Sequence, residues 1–337
     1  MNTTHITKIE IKALWGKYDI VWDNLDPRVN ILVGENGSGK SNLLRLVKAA
    51  NTLYAIGLTK NIIFDYAICN FQNKGKLFLV SGKNSIRNNG KDKQLKEFFS
   101  TDFLTIDLDI LNSKSEAIYF QNRKLNLRAY LLQTFENKFH NPTDTQDIIG
   151  KEVQTNLDLS LWQLEKDFKS YQSKILNQYR REKDEKIFAK SDLFKQLMND
   201  FFSVTYKNID ITDASDIFIE QTDEYTNEKL RLSMYDLSSG EKQLLIILLT
   251  VLLSDNENIV LLLDEPEVSL HIGWQQKLID SILLLNENCQ LIIATHSPSI
   301  FGKIWGKNVT FIKNIKHATT KNIENIENLD NKETITQ

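Results

Sequence analysis

One eight-residue run, Gly34-Glu35-Asn36-Gly37-Ser38-Gly39-Lys40-Ser41, constrains this chain more than any other feature. It follows Val29 to Val33, a short continuous apolar stretch of the kind found in strands buried on both faces. It precedes NLLRLVKAANTLYAI, where Leu43, Leu44, Val47 and Ala50 share one helical face. Strand, glycine-rich turn and helix in that order satisfy G-x-x-x-x-G-K-[ST] together with its structural context. Glycines let successive backbone N–H groups point inward around a phosphate, and the helix that follows adds the positive end of its dipole. The candidate phosphate-binding residues are Gly34, Asn36, Gly37, Ser38, Gly39, Lys40, Ser41 and Asn42. Lys40 suits the β and γ phosphates of a bound nucleotide, and the Ser41 hydroxyl suits Mg2+.

The remainder of the chain agrees with an α/β protein. Ile6 to Leu14 and Lys17 to Trp22 predict a hairpin, and strands are expected at 76–80, 103–110, 208–212, 217–220 and 229–233. Farther on, an apolar helix (LLIILLTVLL), a buried strand (NIVLLLDE), a helix (SLHIGWQQKLIDSILLL) and a second buried strand (QLIIATHS) alternate. That alternation predicts a parallel sheet with helices on its faces. Between these parts, Leu157, Leu161, Leu164, Phe168, Tyr171, Ile175 and Tyr179 recur at four- and three-residue steps, which predicts one long amphipathic helix. Its apolar seam has two readings, core of its own domain or a docking surface for a partner.

The chain therefore divides into an N-terminal lobe (1–120), a mainly helical insertion (121–205), a C-terminal lobe (206–316) and a polar, disordered tail (317–337). Composition excludes several classes. A formal net charge of −3 rules out attachment to nucleic acid by bulk positive charge, though a lysine-rich loop at 83–96 leaves local nucleic-acid contact open. The two cysteines, Cys69 and Cys289, form neither a disulfide framework nor a zinc pattern, so a cytoplasmic, reducing location is expected. The longest apolar run, Leu244 to Leu253, is half of the ~20 residues that span a bilayer, so no membrane partner is expected.

The strand Asn258 to Asp264 ends in an acid pair. A carboxylate there lies beside the phosphate loop of an open α/β sheet, where Asp264 can hold Mg2+ and Glu265 can accept a proton from an attacking water. The surrounding motifs extend the pattern. Leu237-Ser238-Ser239-Gly240-Glu241-Lys242-Gln243 precedes the acid pair by one helix, and Ala294-Thr295-His296-Ser297-Pro298 ends the next strand. This order resembles the ATP-binding-cassette class of P-loop ATPases, with signature motif and switch histidine. Asp264-Glu265-Pro266-Glu267-Val268-Ser269-Leu270-His271 narrows the likeness to the branch of RecF, the OLD nucleases and SMC heads. Within it the chain resembles AAA ATPases of the AAA_15/AAA_21 type, such as the ATPase subunits of the PARIS and Septu anti-phage systems.

The resemblance implies an ABC-ATPase head with an antiparallel β subdomain and a helical insertion. It implies a homodimer, or a higher assembly of dimers, with ATP held between one phosphate loop and Ser239-Gly240 of the other copy. It gives His296 a hydrogen bond to the γ-phosphate, and it calls for a glutamine loop, for which Gln121 is the candidate and Gln72 the rival. Gly240 leaves room for the opposing nucleotide, and His271 either faces the other copy or caps local packing. Trp15 and Tyr18 are candidates for stacking on adenine. Three functions follow: a slow ATPase acting as sensor or scaffold in phage defence, with a separately encoded HNH or TOPRIM effector nuclease; a DNA-repair or DNA-tethering ATPase; and, third, a transporter ATPase subunit.

Overall fold

The computed structural model describes residues 5–51, 61–72, 76–81, 117–121, 128–133, 153–212 and 214–319. Among these residues the fold is α/β, with one parallel and two antiparallel sheets and helices packed on them. Its centre is a parallel sheet in the order β13-β3-β12-β11-β7. The strands are β3 (Val29–Val33), β7 (Arg128–Gln133), β11 (Ile259–Asp264), β12 (Cys289–Thr295) and β13 (Val309–Phe311). Both faces of this sheet are covered, which explains why β11 and β12 are apolar throughout. Leu261, Leu263, Leu291 and Ile293 pack on one side, with the helices α2 (Asn156–Glu182), α3 (Ala189–Phe202), α4 (Ser239–Leu253) and α5 (Ile272–Leu285). Val260, Leu262, Ile292 and Ala294 face the other side, where α1 (Lys40–Ala50) and an antiparallel sheet build a second core.

That antiparallel sheet runs β14-β2-β1-β4-β5-β6. It contains the predicted hairpin of β1 (Ile6–Leu14) and β2 (Tyr18–Trp22), then β4 (Tyr66–Phe71), β5 (Lys76–Ser81) and β6 (Ala117–Gln121). The short strand β14 (Lys316–Ala318) closes its edge on β2. Residues 317 and 318, assigned above to a disordered tail, are thus in a strand, and Thr319 donates its N–H to the Lys17 carbonyl at 3.0 Å. Residues 320–337, the lysine-rich loop at 83–96 and the expected strand at 103–110 lie outside the described residues. A third sheet, β10-β9-β8, comprises β8 (Lys207–Ile211), β9 (Ile217–Thr222) and β10 (Lys229–Leu232).

Residues 121–205 hold a strand beside their helices, and packing decides between the two readings of the α2 seam. The segment contributes β7 to the parallel sheet, in register with β11, before its helices begin. The apolar seam of α2 is core: Leu157, Leu161, Phe168, Tyr171 and Ile175 are buried in the same cluster as α4. The docking reading of that seam is therefore withdrawn. Thr155 caps the helix through a reciprocal box with Asp158, which fixes where α2 starts. Asp158 also accepts a hydrogen bond from Lys242 at 2.8 Å, so the insertion is tied directly to α4.

Candidate functional site

Parallel pairing sets the site. Leu32, Ala294, Asp264 and Gln133 stand in one row across β3, β12, β11 and β7. From this row β3, β11 and β12 each lead into a loop on the same edge of the sheet, the edge at which open α/β sheets bind ligands. The phosphate loop leaves β3, the acid pair ends β11, and His296 follows β12.

In the phosphate loop, Gly37 and Gly39 have φ of +73° and +110°. The φ of Gly39 favours glycine, and a Cβ there would also come within 3.2 Å of the Trp15 ring, a tight contact. Helix α1 opens without a side-chain cap and without an acid in its first turn. The buried Ser38 hydroxyl has no hydrogen-bond partner among the described residues. An uncapped helix N-terminus with an unused hydroxyl is the donor set that a phosphate group satisfies. Asn36 is exposed on this loop, and Asn42 is half-buried on α1.

Lys40 is 3% exposed. Its ammonium donates to the carbonyls of Gly34 (2.8 Å) and Glu35 (3.2 Å), and lies 2.7 Å from His296 Nε2. Burial holds its pKa below the ordinary lysine value, against the opposing pull of Glu265, Asp264 and Glu267. The Ser41 hydroxyl donates to Asp264 Oδ1 at 3.0 Å. Burial lifts the Asp264 carboxyl above its usual range; the Ser41 bond opposes that shift and the Glu265 charge adds to it. A hydroxyl and a carboxylate side by side are hard oxygen donors suited to Mg2+, which takes one or two protein ligands beside substrate phosphates. Among the described residues no three His, Cys, Asp or Glu side chains form a metal cage of their own.

Glu265 sits at φ +50°, a left-handed conformation that is uncommon for a side chain of this size. Its N–H donates to the Ala294 carbonyl at 2.7 Å, which hooks the end of β11 onto β12. The Glu265 carboxylate lies 3.2 Å from His296 Nε2 and 3.9 Å from Lys40 Nζ. Lys40, Glu265 and His296 thus meet at one point, with the Ser41–Asp264 pair joined through α1 and β11.

The signature segment is anchored elsewhere. Ser238 caps α4 by a reciprocal box with Glu241, and Ser239 is the first helical residue. Glu241 is buried and accepts from Lys207 at 2.8 Å and from Thr205 Oγ1 at 3.1 Å. Burial works to raise its pKa, but the bonds from Lys207 and Ser238 hold it below the ordinary carboxylate value. Gly240 is also buried, and a Cβ there would lie 2.1 Å from the Ser269 carbonyl of the same chain. Its missing side chain therefore serves a close approach within this chain, which the sequence expectation of open space for a second nucleotide had not included.

Gln121 does not join the cluster. It is on β6 in the antiparallel sheet, paired with Leu77, and Gln72 is exposed in the turn after β4. Gln133, the last residue of β7, is the one paired with Asp264. A strand-like run ending in glutamine, RAYLLQ, was the signal for it. His271 accepts a hydrogen bond from Gly273 N at 3.2 Å and so caps α5. Trp15 packs beside Gly39, with Tyr18 edge-on at 6.2 Å between ring centroids. The Lys316 ammonium lies 4.6 Å from the Tyr18 ring and donates to the Ser38 carbonyl at 3.3 Å. Sequence reasoning gave no role to Lys316.

Residues 63–302 match the family described as "AAA domain, putative AbiEii toxin, Type IV TA system" (AAA_21). The match begins after the phosphate loop and takes in the signature, acid-pair and histidine segments. "Retron Ec83 probable ATPase" of Escherichia coli is 29% identical over 148 residues, covering 36% of this chain and 27% of that protein. "Retron Vc95 probable ATPase" of Vibrio cholerae serotype O1 biovar El Tor is 28% identical over 97 residues, covering 26% and 19%. The matched segments thus span only about a quarter and a fifth of these relatives' lengths. Among solved structures, an SMC head bound to the C-terminal winged-helix domain of ScpA aligns over 91% of this chain and 93% of its own, at 16% identity and a TM-score of 0.48.

Proposed function

Since the chain belongs to the AAA_21 family of AAA domains, we propose that it binds ATP with Mg2+ and hydrolyses it. The observation that carries this reading is the meeting of Lys40, Glu265 and His296 beside the Ser41–Asp264 pair at the phosphate edge of the sheet. Lys40 neutralises the β and γ phosphates. Ser41 and Asp264 hold Mg2+, which, when bound, supplies positive charge against the phosphate oxygens. Glu265 accepts the proton of the attacking water, and His296 donates a hydrogen bond to the γ-phosphate oxygen. Gln133, which ends β7 opposite Asp264, is assigned to the glutamine-loop position. Trp15 and Tyr18 offer the base a stacking surface.

The wider role is also proposed. Two copies close around ATP, with Ser239 and the N-terminus of α4 from one copy completing the site of the other. Opening on hydrolysis would make this dimer a two-state element that a partner can read. The role proposed for this dimer is in phage defence, with a separately encoded effector nuclease; the relatives it matches in part are named as probable retron ATPases. The test is phage challenge of a strain carrying the intact gene neighbourhood. Resistance that is lost in Glu265→Gln is expected. Unchanged phage sensitivity across a broad panel, alongside a DNA-damage phenotype, would replace this role by DNA repair. Mass measurement of the Glu265→Gln protein with ATP should show a dimer; a monomer at saturating ATP would contradict the shared site.

A further inference from the structure

The ring of His296 is about a third exposed, so packing alone does not hold it where Lys40 and Glu265 converge. Its backbone does. Glu267 Oε1 accepts the N–H of His296 at 2.7 Å and the N–H of Ser297 at 3.2 Å. A second tether comes from α5: the Ser297 hydroxyl donates to Gln275 Oε1 at 2.8 Å. Gln275 in turn donates to the carbonyls of Leu270 (2.9 Å) and Glu267 (3.3 Å). The turn after β12 is therefore bound at two points to the loop after β11. That loop also carries Glu265.

From this geometry we infer that Glu267 is a positioning residue for hydrolysis, which fixes His296 relative to Glu265 by holding the main chain of the histidine turn. The inference rests on the ATPase reading given above. It adds a residue to which the motif assigned no chemistry. One carboxylate oxygen makes both bonds, while Glu267 Oε2 is buried without a hydrogen-bond partner among the described residues. The hold thus needs an acceptor at the Oε1 position and does not need a negative charge. A glutamine, whose amide oxygen accepts two N–H bonds equally well, preserves it.

The experiment compares wild type with Glu267→Ala, Glu267→Met and Glu267→Gln, each first shown to melt cooperatively. Amide hydrogen exchange of the peptide spanning 294–299 should quicken in the Ala and Met variants and stay near wild type in Gln. In steady-state ATPase assays, kcat should fall roughly 10- to 100-fold in Ala and Met, because a misplacement of about 1 Å costs that much. ATP affinity should change by no more than about threefold, since the phosphate loop is untouched. The Gln variant should recover most of kcat. Unchanged exchange or unchanged kcat in Ala and Met would overturn the inference, as would a Gln variant as impaired as Ala. If exchange responds as expected but wild type turns over no ATP, the tether stands and the ATPase reading fails.

Discussion

Removing the Asp158 carboxylate tests whether the long helix α2 is core and is locked to the signature helix. Asp158 and Lys242 are paired at 2.8 Å, with side chains 3% and 9% exposed. The same carboxylate accepts the N–H groups of Thr155 (2.9 Å) and Gln154 (3.0 Å), completing the cap of α2. In Asp158→Ala, Lys242 keeps its charge in a buried place and loses the Asp158 carboxylate, a loss on the order of 3–5 kcal/mol. Losing the Asp158 half of the capping box, with the Thr155 cap left in place, adds up to about 1 kcal/mol. The total, roughly 3–6 kcal/mol, is a large part of the 5–15 kcal/mol that holds an ordinary domain together. The assay is urea unfolding at neutral pH, followed by far-UV circular dichroism and tryptophan fluorescence together. The double variant Asp158→Leu with Lys242→Met should regain most of the loss, because an apolar pair of similar volume carries no desolvation cost. A single variant within about 0.5 kcal/mol of wild type would refute the reasoning, since that is the range of surface changes. A double variant no better than the single would also refute it.

Three further outcomes follow from the same geometry. Gly240→Ala should lower the unfolding midpoint, because its Cβ would meet the Ser269 carbonyl at 2.1 Å and overpacking costs about 1–3 kcal/mol; stabilisation, as in an exposed helix, would contradict the packing. Asp158 and Glu241 both titrate below the ordinary carboxylate value: burial opposes this, but Lys242, Gln154 and Thr155 hold Asp158 down, and Lys207 and Ser238 hold Glu241 down. Their stabilisation is complete above the unfolded carboxylate value, about pH 4, and is lost as pH falls through the folded values. Glu241→Gln should therefore flatten the acid limb of stability against pH, and an unchanged limb would contradict the assignment. Burial lowers the Lys40 pKa, so ATP affinity of the free protein should decline on the alkaline side before an ordinary lysine titrates; a flat affinity profile up to the ordinary lysine range would count against Lys40 as the phosphate partner.

How much could be read from residues alone depended on how local the signal was. The phosphate loop, the strands β3, β11 and β12 and the helices between them were legible, since each is a continuous apolar or amphipathic run with clear ends. The strand β7 was not, because RAYLLQ is six residues without a flanking motif and only its partner β11 shows that it belongs to the parallel sheet. For the same reason Gln133 was passed over for Gln121. The seam of α2 was visible as a period, but periodicity does not say what covers an apolar face. Tertiary packing against α4 does. Gly240 shows the same limit: the sequence offered a small residue at a helix start, and the Ser269 carbonyl that requires it is twenty-nine residues away in the chain. Glu267 and Gln275 stood in plain view within and after the acid motif, yet their hydrogen bonds to the His296 turn exist only once β11 and β12 are paired.

The central claim is that one site built from the loops after β3, β11 and β12 binds and hydrolyses ATP. The most direct measurement is parallel equilibrium binding of ATP and steady-state turnover, with Mg2+, for wild type, Lys40→Ala and Glu265→Gln. Lys40→Ala should lose affinity, since the charge facing the β and γ phosphates is gone. Glu265→Gln should bind ATP as wild type does and turn it over at least about 100-fold more slowly, since its amide cannot take the proton of the attacking water. Equal affinity in wild type and Lys40→Ala, or undiminished turnover in Glu265→Gln, would contradict the account.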